Sequence, residues 1–179
     1  LVETAATTGA RIGQLARLEV RDLQASRGLP RLMMPSSRKG KGQKRITRRP
    51  VPIPEGLAVR LRHAGKHRPG NAPLLIKPGD EPWKKSDHTR PFKRAAKSAG
   101  LDPTVVTMYA LRHSHIVNQI VAGLPIRVIA ATCDTSVAMI ERTYSEHITD
   151  HTDDLTRSAL VDFTQPPAKN VLPLARVPR

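Results

Sequence analysis

Residues 108–114 read Met-Tyr-Ala-Leu-Arg-His-Ser, and residues 139–147 read Met-Ile-Glu-Arg-Thr-Tyr-Ser-Glu-His. Each stretch has the apolar spacing of an amphipathic helix. Arg112 sits beside Leu111 on a segment that continues through Val117 and Ile120, so it lies next to a core-facing position. An arginine held there requires a carboxylate or a phosphate; an internal salt bridge is the competing reading. Tyr144 follows Ile140 by four residues and Val137 by seven, which puts it on the apolar stripe of its own helix as a core tyrosine with its hydroxyl at the edge. Whether Arg112 and Tyr144 share one site decides what this chain is.

Composition narrows the choice of partner. The chain has 179 residues, 39% hydrophobic and 25% charged, which reads as a soluble globular domain with a real core. Its 30 Lys and Arg against 15 Asp and Glu give a net charge of +15, the balance of a protein that meets a polyanion, with nucleic acid first in line. Aromatic residues make up only 3%, so stacking platforms for single strands are poorly supplied and duplex backbone contact fits better. Cys133 is the sole cysteine, which rules out an intramolecular disulfide and a thiolate zinc cluster and fits a reducing compartment. No apolar run approaches the ~20 residues of a membrane span and no signal peptide is visible. A cytoplasmic, nucleoid-associated protein is therefore expected, with no metal and no cofactor. The opening "LVETAATTGAR" reads as the interior of a helix running into a turn, so an upstream portion is expected to be missing.

Along the chain, the first helix stops at Gly9, and "ARIGQLARLEVRDL" restarts one with Ile12, Leu15 and Leu18 at helical spacing. "GLPRLMMPSS" and "RPVPIP" are extended segments flanking a basic, glycine-containing hairpin tip, "RKGKGQKRITR". "EGLAVRLRHAGK" predicts a short helix, and Leu74-Leu75-Ile76 a small strand or buried turn. "TRPFKRAAKSAGL" predicts a basic helix stopped by Gly100. Another runs from about Thr107 to Gly123, and Pro125 opens the next, "PIRVIAAT". "CDTS" is the turn into "VAMIERTYSEHI", where Asp134, Thr135 or Ser136 can cap the helix. From Gln165 the chain is Pro-rich, so the domain is set at 1–164 and a tail at 165–179. The expected fold class is α+β, mainly helical, with one small antiparallel hairpin or sheet.

Single residues admit competing readings. Arg11 follows Gly9, which can take the left-handed turn conformation, and then starts a helix; alone it reads as a surface arginine. Cys133 reads as a small buried hydrophobe. His113 and His115 are two apart on a helix, face different ways, and make a poor metal pair. The pair of helices around "CDTS" also resembles a helix-turn-helix, which would make the protein a sequence-specific binder without chemistry.

Taken in order, four segments resemble the tyrosine recombinases, the phage integrase family. "TTGARIGQLARLEVRDL" resembles the first arginine box, T-G-x-R-x-x-E-L, with Gln14 in place of the usual Glu. "MYALRHS" resembles the second, H-x-L-R-H, with Tyr109 at the first histidine. "CDTSVAMIERTYSEH" resembles the closing segment, in which the second histidine falls on Cys133 or Asp134. The hairpin tip resembles the family's lysine-bearing β-hairpin, and the lysine is Lys39 or Lys41, with Lys44 a poorer third. The resemblance covers residues 1–150, a catalytic domain without the core-binding domain that closes the family's clamp on DNA. It implies the breaking-and-rejoining fold and a metal-independent exchange of DNA strands through a 3′-phosphotyrosyl intermediate. Duplex recombination sites and sister protomers are the implied partners. Arg11 and Arg112 would clamp the phosphate, the lysine would protonate the leaving oxygen, and Tyr144 would attack. The substituted histidine positions leave a recombinase relic that binds without cutting as the alternative. A type IB topoisomerase would share these groups but needs a fuller clamp.

Those groups suit the chemistry. A phosphotyrosine ester stores the bond energy of the broken strand, so rejoining needs no ATP. Two planar guanidinium forks can meet the negative charge that grows on the non-bridging oxygens. A +15 chain that grips a duplex by its backbone is expected to lose affinity steeply with salt, with a log–log slope of about −0.9 per phosphate contacted; a flat salt dependence in a binding titration would remove duplex DNA as the partner.

Overall fold

The computed structural model describes residues 1–25, 28–37, 46–84, 86–149, 153, 156, 157 and 160. Helix α1 (Val2–Thr8) ends where expected: Gly9 is left-handed, at φ 59°, and its N–H closes on the Ala5 carbonyl at 2.9 Å. The face of α1 that meets the later helix α5 (Met108–Val121) is made of small residues, Thr4, Ala5 and Thr8, all buried, so the two backbones come close. Contact is tightest at the turn. A Cβ built on Gly9 would stand 2.5 Å from Cδ2 of His115.

The long second helix expected from the spacing of Ile12, Leu15 and Leu18 is not formed. Helix α2 covers only Ile12–Leu15, and a 3-10 turn follows at Val20–Asp22. Leu15 and Leu18 are buried as the spacing requires, but the backbone beyond Ala16 bonds elsewhere. The Leu18 carbonyl accepts from Leu74 N at 2.7 Å, and Val20 N donates to Ala72 at 2.9 Å. Leu74 and Leu75 are accordingly a buried turn, flanked by single bridges between Glu19 and Pro73 and between Ile76 and Pro82.

The sheet is antiparallel, in the order β1 (Leu23–Gln24), β2 (Arg31–Pro35), β3 (Arg48–Pro52). The two strands of the hairpin, β2 and β3, are the extended segments expected from the sequence; β1, of two residues, was not legible there. Leu32 pairs with Val51 and Met34 with Arg49, so Arg49 points to the face that carries the buried Leu32, Met34 and Val51. The hairpin tip, with Lys39, Lys41 and Lys44, lies outside the described residues, as do the limit at 164 and the tail beyond it.

Helices α3 (Glu55–Gly65) and α4 (Thr89–Ser98) match the expected segments, and a left-handed Gly100 follows the second of them. After α5 come α6 (Ile126–Cys133) and α7 (Val137–Thr149). Ser136 is the residue that caps α7, its Oγ accepting from Met139 N at 3.2 Å. Two apolar cores result. The first joins Leu15, Leu18, the sheet, Leu57, Leu61, Leu74 and Met108; the second joins Ile116, Ile120, Ile129, Cys133, Ile140 and Tyr144. Helix α5 serves both, with its first turn in one core and its middle in the other. Arg112 falls between them, in the seam.

Gly9→Ala is the substitution this fold tolerates least for its size. A left-handed residue with a Cβ costs about 1–2 kcal/mol, and the contact with His115 adds to that. Thermal unfolding is expected to drop by several degrees, and a Gly9→Ala protein as stable as wild type would contradict the α1–α5 contact.

Candidate active site in the seam between the cores

Arg112, Arg11, Tyr109, His113, Thr135 and Tyr144 line one cavity of about 80 Å³. Arg112 is only 4% exposed. Its Nη1 donates to the Gly9 carbonyl at 2.6 Å, so the left-handed turn after α1 aims the arginine of α5. One strong acceptor partly offsets burial of the charge, and the other guanidinium donors remain for an anion in the cavity. Arg11 enters from the start of α2. Its Nη1 donates to the Asp134 carbonyl at 2.8 Å and lies 3.6 Å from that residue's carboxylate. Burial lowers the pKa of Arg11, the neighbouring charge of Arg112 lowers it further, and Asp134 opposes both.

Asp134 is a junction. It takes the left-handed conformation, φ 54°, at the end of α6, one of the few residue types that tolerates it. Its Oδ2 accepts from Ser37 N at 2.6 Å and from Gln14 Nε2 at 3.3 Å, and its Oδ1 faces Arg49 Nη1 at 3.0 Å. Burial pushes the Asp134 carboxyl up, but the Ser37 hydrogen bonds and the Arg49 charge outweigh it and hold the pKa below the usual aspartate value. Arg49 also donates to the Thr132 carbonyl at 3.2 Å, and Gln14 to the Pro35 carbonyl at 2.7 Å.

Tyr144 is 6% exposed and completes the second core, as its position on the stripe predicted. Its hydroxyl nevertheless reaches the cavity, 2.8 Å from His113 Nδ1. Burial raises the phenol's pKa and the nearby Tyr109 raises it further, against the lowering effect of Arg112. The backbone at Tyr144 leaves helical geometry, at φ −128° and ψ 20°, so α7 is kinked at this residue. Tyr109 is 55% exposed at the cavity mouth, its ring edge-on to His113 with centroids 4.7 Å apart. Both tyrosines of the chain are thus in one small cavity.

Neither Cys133 nor Asp134, the two residues expected at the second histidine position, lines this cavity. Cys133 is fully buried in the second core, where burial raises its thiol pKa. Asp134 turns toward the sheet and α2. The residue that lines the cavity is Thr135, which follows the left-handed cap at Asp134. His113 was set aside as half of a poor metal pair. Its spacing of four from Tyr109, one helical turn on the same face, was the signal available. Arg49 was missed too, although it alternates with Val51 on the inner face of β3. A wider cleft of about 610 Å³ opens alongside, between α2, α4 and the start of α5, lined by Phe92, Lys93, Val106, Met108, Tyr109 and both arginines.

The phage integrase family model matches residues 1–151. Among solved structures, the chain is similar to XerA recombinase, at 24% identity and a TM-score of 0.60, covering 87% of this chain and 52% of that one. It is similar to the Tn1549 transposon integrase in complex with circular intermediate DNA, at 19% identity and a TM-score of 0.66, covering 89% and 58%. A third likeness is to XerH site-specific recombinase bound to difH substrate, at 18% identity and a TM-score of 0.60, covering 88% and 43%. At these identities the likeness is one of fold, and the chain spans about half the length of the proteins it matches. No curated protein sequence matches it. Among the described residues no helix is long and apolar enough to cross a membrane.

Acid should loosen the Asp134 junction. A carboxyl with a depressed native pKa contributes stability that is fully present above its unfolded pKa, about 3.9 for aspartate, and is lost as pH falls through the native value. Asp134→Asn is therefore expected to be less stable than wild type at neutral pH, with the gap closing below about pH 4. A gap independent of pH in parallel acid titrations would assign the loss to shape rather than charge.

Proposed function

Because the chain belongs to the phage integrase family, we propose that it is the catalytic domain of a site-specific recombinase, breaking and rejoining duplex DNA with Tyr144 as nucleophile. The observation that carries this reading is the meeting of Arg11, Arg112 and the Tyr144 hydroxyl in one cavity, from three segments far apart in sequence. Arg11 and Arg112 would clamp the non-bridging oxygens of the scissile phosphate, where negative charge grows in the transition state. Thr135, half-buried beside them, would donate its hydroxyl to the same phosphate. A hairpin lysine, Lys39 or Lys41 from the sequence pattern, would protonate the departing 5′-oxygen. Lys93 of α4 lines the wider cleft, and with Arg90, Arg94 and Lys97, exposed on the same helix, would meet the backbone of the flanking duplex. XerH and the Tn1549 integrase are both seen with DNA, which supports the same partner here; sister protomers on a recombination site would be the protein partners.

A helix-turn-helix binder would use α6 and α7 differently, with α7 exposed to a groove. The Tyr144 hydroxyl, turned into the cavity that Arg11 and Arg112 line, favours the catalytic reading. On a nicked suicide duplex, wild type is expected to form a covalent protein–DNA adduct that survives denaturant, and Tyr144→Phe is expected to form none while binding DNA normally. An adduct with Tyr144→Phe would overturn the nucleophile; a wild type that binds but never attaches would favour the relic or the binder.

A further inference from the structure

We propose that His113, rather than the residue at 109, accepts the phenol proton when Tyr144 attacks DNA; the inference rests on the recombinase reading. The family resemblance puts a histidine where this chain has Tyr109, and a phenol is a poor proton acceptor near neutral pH. One turn further along α5, His113 presents Nδ1 at 2.8 Å from the Tyr144 hydroxyl. Among the described residues no other side chain hydrogen-bonds that hydroxyl.

The imidazole is held from two sides. Tyr109 packs edge-on against it at 77°, and the Tyr144 ring lies 5.5 Å away, tilted by 50°. Tyr109 thus positions the base instead of acting as one. Burial keeps the Tyr144 phenol protonated, so attack requires a partner that removes the proton as the bond forms. The step balances. The Tyr144 oxygen bonds to phosphorus while the bond from phosphorus to the 5′-oxygen breaks. The phenol proton passes to Nδ1, giving an imidazolium, and the 5′-oxygen takes its proton from the hairpin lysine. Resealing runs the same transfers backwards, and the imidazolium returns the proton to the tyrosine.

The test uses the full-length protein on a nicked suicide duplex carrying a preferred site selected from random sequence, prepared with oxygen or with sulfur at the bridging 5′ position. Sulfur leaves without a proton, so that substrate reports on the nucleophile alone. His113→Gln keeps a hydrogen-bonding side chain that cannot take up a proton. It is expected to form adduct about 10²- to 10⁴-fold more slowly on both substrates while binding DNA as wild type does. His113→Ala is expected to be slow as well and to regain rate with added imidazole, which should leave wild type unchanged. A His113→Gln rate within about twofold of wild type would overturn the base role. Rescue of His113→Gln by sulfur would also overturn it, because His113 would then serve the leaving group. Failure of wild type itself to attach would overturn the recombinase reading and the base with it. Unimpaired His113 variants beside an active wild type would overturn the base alone.

Discussion

The carboxylate of Asp134 joins parts of the molecule that share little apolar contact. It stands on the turn between α6 and α7, whose helices belong to the second core, and it accepts from Ser37 at the base of the hairpin and Gln14 on α2, which belong to the first. Arg49 and Arg11 flank it with charge. In a seam of this kind, partly shielded from water, a carboxylate with one or two partners would cost more than it contributes; with this many donors it fixes geometry. The consequence is positional. The turn that presents Thr135 and begins the Tyr144 helix is tied to the strand that leads into the basic hairpin tip.

The carboxylate also resolves an anomaly in the first arginine box. The resembling motif has an acid three residues after the arginine, and this chain has Gln14. The acid is supplied from across the seam instead, where Asp134 meets both Gln14 Nε2 and Arg11. Gln14 is fully buried and uses its amide twice more, Oε1 accepting from Arg11 N at 3.0 Å and Nε2 donating to Pro35. A glutamate at 14 could not donate to either acceptor and would face Asp134 as a like charge. Gln14 and Asp134 are complementary as donor and acceptor.

That pairing marks the boundary of what the sequence could disclose. Helix ends set by Gly9 and Pro125, the hairpin around its basic tip and the burial of Leu15, Leu18 and Ile140 follow from local rules of turn and spacing. Arg11, Arg112 and Tyr144 were legible because their boxes are contiguous in sequence. The length of α2 was not, because backbone groups of residues 18–20 bond to residues 72–74 in preference to continuing a helix. Nor was the place of Thr135 in the cavity, which follows a left-handed aspartate, or the contact of His113 with Tyr144, which depends on how α7 lies against α5. Spacing reports the face of a helix but not what packs on it.

The kink at Tyr144 connects these tertiary facts to chemistry. A core tyrosine in an unbroken helix is held by both its ring contacts and the hydrogen-bond ladder of its backbone. Here the ring is held by Ile140 and its neighbours, while the backbone at residue 144 has left the ladder's geometry. The ring is thus fixed by packing at the point where the helix bends. The Tyr144 hydroxyl lies against His113, and burial raises its pKa. The two arginines beside it are each held by a backbone carbonyl, Arg112 by that of Gly9 and Arg11 by that of Asp134. The seam therefore fixes the guanidinium groups by hydrogen bonds to distant turns and the tyrosine ring by apolar packing.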